Sequence, residues 1–282
     1  MILLTGANGV VGYALQQRLT SEHYLTVSRK AGQGDIVWDM NSQSNSFQLP
    51  ALKQLIHCAP IWLLPAHLPA LYRAGISQFI VFSSTSIISK QESANPEEQE
   101  LVDRLSSAEK AIEEFCKEHD LSLAILRPSM IYGYGRDQNI NHIASFINKY
   151  GFAIVAGKAN GLRQPVHAGD LAELCMNLIS QPLQGQGTYT VAGQDMITYR
   201  AMVKSIFIKL NKRPIIISIP VWSLRLALII ASRLGRFKYT ADMADRMQQD
   251  LVYDNQAAIE GLAYKPSSFL EKPQRDLASY EV

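Results

Sequence analysis

Three glycines near the start of the chain have the spacing of a phosphate-binding turn. Gly6, Gly9 and Gly12 stand at GxxGxxG spacing in "TGANGVVG", between the apolar run "MILL" and a stretch whose apolar residues recur at helical spacing. Glycine allows a tight turn and lets backbone N–H groups approach a pyrophosphate, and the N-terminus of the following helix attracts the anion. Because the glycines stand in a strand–turn–helix context, we predict a nucleotide-binding loop; the alternative is only a tight βα turn.

The end of the second predicted strand carries a basic pair where NAD-binding units carry an acid. In those units an acidic residue about 20 positions beyond the glycines binds the ribose. Here "VSRK" places Arg29 17 positions (29 minus 12) beyond Gly12, with Lys30 next to it. A guanidinium suits a 2′-phosphate because it can donate two parallel hydrogen bonds. We therefore predict NADP as the cofactor, with NAD as the second option; the alternative is a solvated Arg–Lys pair.

The composition is that of a globular protein and excludes several classes. Hydrophobic residues make up 47% of the chain and charged residues 18%, and the formal net charge is +2. So small a charge argues against a nucleic-acid partner. The three cysteines are far apart and the six histidines lack ligand spacing, which predicts no disulfide framework and no metal. The start "MILLTG" lacks the features of a secretion signal, so we expect a cytoplasmic protein.

Predicted strands alternate with helices along most of the chain. After "MILLTG", the buried strands are predicted in "YLTVSRK", "QLIHCAP", "QFIVFSS", "LSLAILRP" and "GTYTVAG", with "GDIVWDM" in a loop. This alternation predicts an α/β protein with a Rossmann-type, doubly wound parallel sheet. We predict a dinucleotide-binding domain over residues 1–195, with part of the substrate cleft at about 134–165, and a smaller C-terminal substrate-binding lobe over 196–282.

One apolar run invites a membrane interpretation. "IIISIPVWSLRLALIIAS" extends from Ile215 to Ser232, and a spanning helix needs about 20 apolar residues. Pro220 and Arg225 interrupt the run, however, and a charge near mid-span is costly. We therefore predict no integral membrane segment and expect a buried or cleft-covering helix instead.

Five further motifs follow the glycine loop in order. They are "LIHCAP", "FSSTS", "LRPSMIYG", "RQPVHAGDLA" and "TYTVAG". Together they resemble the extended short-chain dehydrogenase/reductase family, and within it the NAD(P)-dependent nucleotide-sugar epimerases and dehydratases. The later segment "DLVYDNQAAIEGLAYKP" also looks like the family's C-terminal segment, so the resemblance covers nearly the whole chain. It implies hydride transfer at a sugar carbon of a nucleotide-sugar-like substrate, with a homodimer as one option.

The resemblance implies a role for each matching residue. The implied cofactor ligands are Gly6, Asn8, Gly9, Val11 and Gly12 at the pyrophosphate, Asp39 at the adenine amino group, His57 and Ala59 at the adenosine ribose, and Pro128 and Ser129 at the nicotinamide. The implied catalytic hydroxyl, which polarises the substrate, is that of Ser84 or Thr85, and the implied substrate ligand is Arg163, which grips the diphosphate. His167 and Asp170 are expected to be structural.

The chain departs from the family at the catalytic pair, which is YxxxK on one helix. In "LSSAEKAIEEF", Lys110 matches the lysine, but Ser106 stands four residues earlier where the family has tyrosine. Tyrosine has an ordinary pKa of about 10 that a neighbouring ammonium can lower, whereas a serine hydroxyl is a far weaker acid. We expect Lys110 to bind the nicotinamide ribose within the catalytic site; the alternative is an exposed lysine paired with Glu113 or Glu114. The predicted buried stripe of this helix is Leu101, Leu105, Ala108, Ile112 and Phe115.

The predicted function is therefore an atypical, NADP-binding epimerase or dehydratase. Tyr132 or Tyr134 is the candidate for the missing base, and Tyr132 is also placed at the substrate. The alternative is a non-catalytic NADP-binding protein that serves as a redox sensor or an assembly factor.

Overall fold

The computed structural model describes residues 1–20, 23–42, 49–181, 185–233, 242–272 and 277. They divide into two compact units. Unit 1 comprises Met1–Pro128, Ala168–Val191 and Asp254–Lys265; unit 2 comprises Ser129–His167, Ala192–Tyr253 and Pro266–Val282. This division differs from the predicted boundary at residue 195, because residues 129–167 join the second unit and residues 254–265 return to the first.

Unit 1 is built on a seven-stranded parallel sheet. Its strands are β1 (Ile2–Thr5), β2 (Tyr24–Ser28), β3 (Ile36–Val37), β4 (Gln54–His57), β5 (Gln78–Phe82), β6 (Ser122–Pro128) and β11 (Gln186–Val191). They lie in the order β11-β6-β5-β4-β1-β2-β3, and every neighbouring pair is parallel. The predicted doubly wound sheet is confirmed. "GDIVWDM", predicted as a loop, contributes the short edge strand β3.

Helices cover both faces of this sheet. They are α1 (Val10–Gln16), α2 (Leu68–Arg73), α3 (Ser86–Ser89), α4 (Pro96–Glu118), α6 (Ala168–Ser180) and α10 (Gln256–Leu262), with short 3₁₀ turns at Ile61–Leu63 and Pro65–His67. Alternate strand residues point to opposite faces. Leu3 and Leu55 belong to the cluster that α4 covers, and their neighbours Leu4 and Ile56 are buried as well. The strands are therefore nearly continuous apolar runs, as expected for a sheet with two covered faces.

Helix α4 is the longest helix of unit 1 in the described residues and has a well-formed start. The side chain of Asn95 accepts a hydrogen bond from the backbone N–H of Glu97 at 3.0 Å, and Pro96 occupies the first helical position. Glu97 and Glu98 lie in the first turn, where the helix dipole favours negative charge. The helix buries Leu105, Ala108 and Ile112 on the cluster beneath it.

Unit 2 combines short strand pairs with helices. Its strands are β7 (Ile131–Tyr132), β8 (Ala153–Ala156), β9 (Leu162–Arg163), β10 (Val166–His167), β12 (Ile197–Thr198) and β13 (Ile216–Ile219). They pair as β10-β7, β12-β9 and β13-β8. The helices are α5 (Ile140–Tyr150), α7 (Tyr199–Lys209), α8 (Val221–Arg233) and α9 (Asp242–Arg246). Helices α5 and α7 supply much of the apolar core of this unit.

The apolar run from Ile215 to Ser232 is not a single helix. It forms β13, a break at Pro220 and then most of α8. Among the described residues, no helix has the length and apolar character that crossing a bilayer requires. Of the two expectations, a helix buried on all sides is wrong, because Trp222 of α8 is 71% exposed; a cleft-covering helix stays a prediction.

Candidate functional site

A pocket of about 620 Å³ lies at the carboxyl ends of the central strands of unit 1. Strand β1 sits between β2 and β4, so the chain leaves β1 on one side and returns to β4 on the other. Ligands of open α/β sheets bind at such a switch point. The pocket is lined by the loop after β1, the end of β2, residues 38–41 after β3 and the loop after β4. Its volume is in the range of small-molecule sites.

Two of the three glycines are required by close backbone packing. A Cβ on Gly6, which has φ +70°, would lie 2.5 Å from the backbone nitrogen of Ala59. A Cβ on Gly12 would lie 2.3 Å from the carbonyl oxygen of Gly6. The backbone N–H of Gly9 donates to that same oxygen at 2.9 Å. Side chains at Gly6 and Gly12 would therefore clash with backbone atoms and shift the predicted pyrophosphate loop.

The other predicted loop residues divide between the pocket and the interior. Asn8 and Ala59 line the pocket together with Gly6 and Gly9. Val11 is 6% exposed and is absent from the lining, so it packs in the interior of unit 1. Val11 therefore supports α1 and does not contact a ligand in this pocket.

The basic pair at the end of β2 lies in the pocket. Arg29 and Lys30 are both exposed and both contribute to its lining. The pocket also contains an acidic residue, Asp39, which lies in the segment after β3. Hydrogen bonds from the side chain and backbone of Asn41 lower the pKa of Asp39, and Arg29 lowers it further. Arg29 and Asp39, which were both predicted to bind the cofactor, therefore line the same pocket.

His57 supports the pocket from beneath and is not part of its lining. It is fully buried, with Nδ1 2.7 Å from the hydroxyl oxygen of Thr5 and Nε2 3.3 Å from the carbonyl oxygen of Pro60. Burial lowers its pKa to about 4, so the ring is neutral near pH 7. A neutral ring that donates from Nε2 to Pro60 accepts at Nδ1 from Thr5. His57 therefore links the loops after β1 and β4; the predicted ribose contact does not fit this burial.

Of the two candidate catalytic hydroxyls, Ser84 is the more accessible. Thr85 is 5% exposed, and its hydroxyl donates to the carbonyl oxygen of Pro128 at 3.0 Å. Ser84 is half-buried, and among the described contacts its hydroxyl bonds only to the hydroxyl and the backbone N–H of Ser86, at 3.0 and 3.1 Å. Of the two hydroxyls, that of Ser84 is therefore the better placed to contact a substrate.

The expected catalytic face of α4 is turned toward solvent. Ser106 is exposed, and the side chain of Lys110 is 77% exposed. The ammonium of Lys110 lies 3.9 Å from Glu114, one turn along the same helix. Glu113 instead accepts a hydrogen bond from Thr188 at 2.9 Å. This arrangement matches the alternative of an exposed, paired lysine and corrects the expectation that Lys110 faces a ligand.

The residue before Lys110 is the one that α4 buries. Glu109 is 3% exposed, and its carboxylate accepts hydrogen bonds from Arg127 at the end of β6 and from the hydroxyl of Ser83 after β5. The contact from Arg127 Nε is 3.0 Å long. The hydrogen bond to Glu109 raises the pKa of Arg127. Glu109, Arg127 and Ser83 form a hydrogen-bonded triad, which we call the buried triad. It holds in place the side chain of Ser83, the residue before Ser84.

Pro128 is the last residue of β6, the strand that carries Arg127, and Ser129 follows it. The carbonyl of Pro128 accepts hydrogen bonds from both the backbone and the hydroxyl of Thr85. The hydroxyl of Ser129 is buried and donates to the carbonyl oxygen of Gln164. Both residues are engaged by the protein itself, and their predicted contact with a nicotinamide stays a prediction.

The tyrosines proposed for the substrate lie in unit 2. Tyr132 is 1% exposed, its hydroxyl accepts from the backbone N–H of Leu270 at 3.0 Å, and its ring packs edge-on against His167 and Phe269. This is the environment of a core residue, which does not fit a substrate ligand. Tyr134 also packs against His167 but is half-buried and has φ +57°. His167 is buried among these rings, as expected for a structural residue.

Arg163 is a buried structural residue. It is 5% exposed, and its guanidinium donates to the carbonyl oxygens of Leu162 and Gln249 at 2.8 Å and of Arg246 at 2.6 Å. Burial lowers its pKa. Its guanidinium also lies 5.4 Å from the centre of the Tyr199 ring. The predicted grip on a diphosphate is corrected, because the hydrogen bonds of this side chain go to backbone carbonyls of unit 2.

Several pocket residues and the buried acid of α4 escape prediction from motifs. Pocket residues outside the predictions include Trp38, Met40, Cys58, Pro60 and Trp62. The signal for the first two is the "VWDM" segment, in which two large apolar residues flank Asp39. Nothing in the local pattern distinguishes the buried Glu109 from its exposed neighbours. Among the described residues, no cluster of His, Cys, Asp and Glu is arranged to hold a metal ion.

The fold and the pocket define a dinucleotide-binding, Rossmann-type α/β protein. Residues 66–192 match the model of the NAD dependent epimerase/dehydratase family. This match agrees with the resemblance carried by the motifs: residues 66–192 are similar to that family.

Known proteins resemble this chain along nearly its whole length. A UDP-glucose 4-epimerase of Vibrio cholerae is 25% identical, with 96% of this chain and 92% of the relative covered. The solved structure of UDP-glucuronic acid 4-epimerase from Bacillus cereus, in complex with UDP-glucuronic acid and NAD, superposes with a TM-score of 0.72 at 14% identity, covering 98% of each chain. UDP-glucose 4-epimerase from Thermotoga maritima with UDP-glucose gives a TM-score of 0.71 at 15% identity, covering 99% and 97%. At these identities the two structural matches establish the fold.

Proposed function

We propose that this protein binds NADP(H) in the pocket of unit 1 and acts on a nucleotide-sugar-like substrate without a tyrosine–lysine pair. The observation that carries the proposal is the arrangement of this pocket. Its glycine loop has no room for side chains, and Arg29 and Lys30 stand at the end of β2. A basic pair at this position favours a 2′-phosphate over a free ribose hydroxyl.

The residues present fit a dinucleotide. Backbone N–H groups of the loop from Gly6 to Gly9 would hold the pyrophosphate, and Arg29 would bind the 2′-phosphate. Asp39 would accept from the adenine amino group, because its pKa is held low and it is ionised near pH 7. Such a cofactor supplies hydride transfer when it is bound.

For the chemistry, Ser84 is the hydroxyl that we assign to orient the substrate. It is half-buried, and its neighbour Ser83 is fixed by Glu109. Neither Ser106 nor Lys110 takes part in this assignment, because both are exposed on α4. The proton acceptor that replaces the tyrosine is left unassigned, since the burial of Tyr132 removes the first candidate and Tyr134 stays a prediction.

The nucleotide-sugar part of the proposal is supported by sequence similarity. The UDP-glucose 4-epimerase of Vibrio cholerae aligns with 96% of this chain, so the similarity includes the segments that form unit 2. Arg163 no longer serves as the diphosphate ligand in this proposal. The homodimer and the cytoplasmic location stay predictions.

A second candidate is a protein that binds NADP(H) but does not turn over a sugar nucleotide. It is supported by the exposure of Ser106 and Lys110, the two positions that match the family's catalytic pair, and by the contact of Lys110 with Glu114. Such a protein would report the redox state of the cofactor or assist an assembly.

Titration calorimetry with NADPH and NADH tests the cofactor assignment. Arg29→Ala is expected to weaken NADPH binding by about 1.5–3 kcal/mol, the range of a hydrogen bond to a charged group, and to leave NADH binding nearly unchanged. Arg73→Ala, which removes an exposed arginine of α2 outside the pocket, is the matched control. Equal or tighter binding of NADH by the unmodified protein would refute the NADP preference.

A thermal-shift screen of UDP-, GDP- and dTDP-sugars separates the two candidates. A ligand that binds only the folded protein raises its melting temperature. We expect at least one sugar nucleotide to stabilise the NADPH-loaded protein and to be converted to a product detectable by chromatography. Stabilisation by NADPH alone, with no response to any sugar nucleotide, would favour the non-catalytic candidate.

A further inference from the structure

Helix α8 of unit 2 presents an apolar stripe to solvent. Trp222, Leu226, Ile229 and Ile230 are 71%, 51%, 37% and 52% exposed, respectively. They stand at positions i, i+4, i+7 and i+8, so they share one side of the helix. We call these four residues the α8 face. The other side of α8 packs Leu224 and Leu228 on the core of unit 2.

The strand before α8 extends this apolar character. Ile215, just before β13, is 53% exposed, and Ile217 of β13 is 45% exposed. Ile154 of β8, which pairs with Ile217, is 39% exposed. Scattered exposed apolar residues are ordinary, but a group of this kind marks an interaction surface.

The part of the chain that contains α8 has only basic charged residues. Residues 196–241 contain nine lysines and arginines and no aspartate or glutamate. The whole chain carries +2, so the remaining residues carry −7 (2 minus 9). Lys204 and Arg213 are exposed, while Arg225 of α8 lies 3.7 Å from Asp245 and is partly neutralised. The α8 face is therefore set within a strongly basic part of the sequence.

We propose that the α8 face docks on an anionic lipid surface. A helix with Trp and aliphatic residues on one side, within a basic segment of the sequence, has the character of helices that lie in the interfacial plane of a membrane. Basic residues near an anionic surface add electrostatic attraction to the apolar contact. The helix has 13 residues, about 20 Å at 1.5 Å per residue, which is shorter than the roughly 30 Å hydrocarbon layer. It therefore lies on the membrane and does not cross it.

Charge favours an anionic bilayer, over a second copy of the chain or a nucleic acid, as the partner of the α8 face. A second copy of the chain paired through the α8 face would bring two basic segments together, and like charges oppose that pairing. A nucleic acid would satisfy the charges but not the aliphatic residues Leu226, Ile229 and Ile230, because nucleic acids are bound by phosphate contacts and aromatic stacking. An anionic bilayer satisfies both properties.

Vesicle sedimentation of the full chain tests the proposal. Vesicles of phosphatidylcholine alone are compared with mixed phosphatidylcholine–phosphatidylglycerol vesicles, at low and high salt. We expect binding to the mixed vesicles, weaker binding to the neutral ones, and release as salt shortens the range of the charges. The double variant Trp222→Ser/Leu226→Ser is expected to reduce the partition coefficient at least about tenfold, because it removes two large apolar contacts.

A matched pair of single variants isolates the α8 face from general surface hydrophobicity. Ile229 on α8 and Ile259 on α10 are both 37% exposed. Ile229→Ser is expected to weaken vesicle binding, and Ile259→Ser to leave it unchanged. Far-UV circular dichroism checks that each variant is folded.

Fluorescence provides a second measurement that needs no disruptive variant. The chain has three tryptophans, of which Trp38 is 3% and Trp222 71% exposed. Brominated lipids should quench the unmodified protein, and Trp222→Phe should bind the vesicles but lose most of this quenching.

Four results would overturn the proposal. They are the absence of vesicle binding, equal binding to neutral and anionic vesicles, undiminished binding by the double variant, and quenching that persists in Trp222→Phe. Concentration-dependent dimerisation that Trp222→Ser abolishes would assign the α8 face to a second copy instead. Binding of an oligonucleotide without binding of vesicles would assign the basic segment to nucleic acid.

Discussion

Replacing Glu109 by glutamine should destabilise the protein far more than the same change five residues later. Glu109→Gln keeps the size of the side chain but removes the charge that faces Arg127. The Glu109 side chain is 4% exposed and that of Arg127 26%. The guanidinium would therefore be left half-buried, with a neutral amide in place of its carboxylate.

The magnitude follows from this burial. Removing one partner of a buried ion pair costs about 3–5 kcal/mol. Because water reaches part of Arg127 and the glutamine oxygen can still accept one hydrogen bond, we expect about 2–3 kcal/mol. For a chain of 282 residues, that corresponds to a lower melting temperature by roughly 3–5 °C.

Glu114→Gln is the control on the same helix. Glu114 is 68% exposed and lies 3.9 Å from Lys110, which is 77% exposed. An exposed pair of this kind contributes about 0–1 kcal/mol. Thermal and urea denaturation of both variants measures the difference, and Glu109→Gln/Arg127→Gln should be less destabilised than the sum of its single changes. Equal stability of Glu109→Gln and Glu114→Gln would refute the buried triad.

Three further predictions concern the pocket, its support and unit 2. Gly12→Ala should weaken NADPH binding at least about tenfold in calorimetry, because the new Cβ would lie 2.3 Å from the Gly6 carbonyl oxygen and shift the loop. The stability contributed by neutral His57 should be complete above about pH 6.5 and fall as pH drops toward 4, because the unfolded imidazole takes up a proton that the buried one, with a pKa of about 4, does not. The loss should reach about 3 kcal/mol, and His57→Asn should show less pH dependence in urea denaturation. Arg163→Met should lower stability by about 2–3 kcal/mol by leaving backbone carbonyls without donors, while NADPH affinity in calorimetry should not change.

The sheet and the phosphate loop were predictable because their signals are local. Apolar runs such as "QFIVF" and glycines at fixed spacing require no knowledge of distant residues. The strand β3 escaped prediction because it has only two residues, and its pairing with β2 depends on a contact with another part of the chain.

Which polar residue of α4 is buried was not predictable in the same way. The stripe through Leu105, Ala108 and Ile112 was correct, but residues on either flank of a stripe are equivalent in an amphipathic pattern. Glu109 is buried because Arg127, 18 positions later, provides its counter-charge. Arg163 shows the same limit, since a pattern does not tell whether a guanidinium binds a phosphate or backbone carbonyls.

Unit 1 includes residues 254–265, close to the end of the chain, and this affects how the protein folds during synthesis. Helix α10 packs against β11 and α6 of unit 1, and Tyr264 after it is 2% exposed. The ribosome must therefore reach Lys265 of a 282-residue chain before unit 1 has all its parts. Residues 129–167 and 192–253 emerge earlier, while the sheet still lacks its last covering helix. A nascent chain that stops at residue 195 would expose the surface that α10 covers, and would depend on chaperones until synthesis resumed.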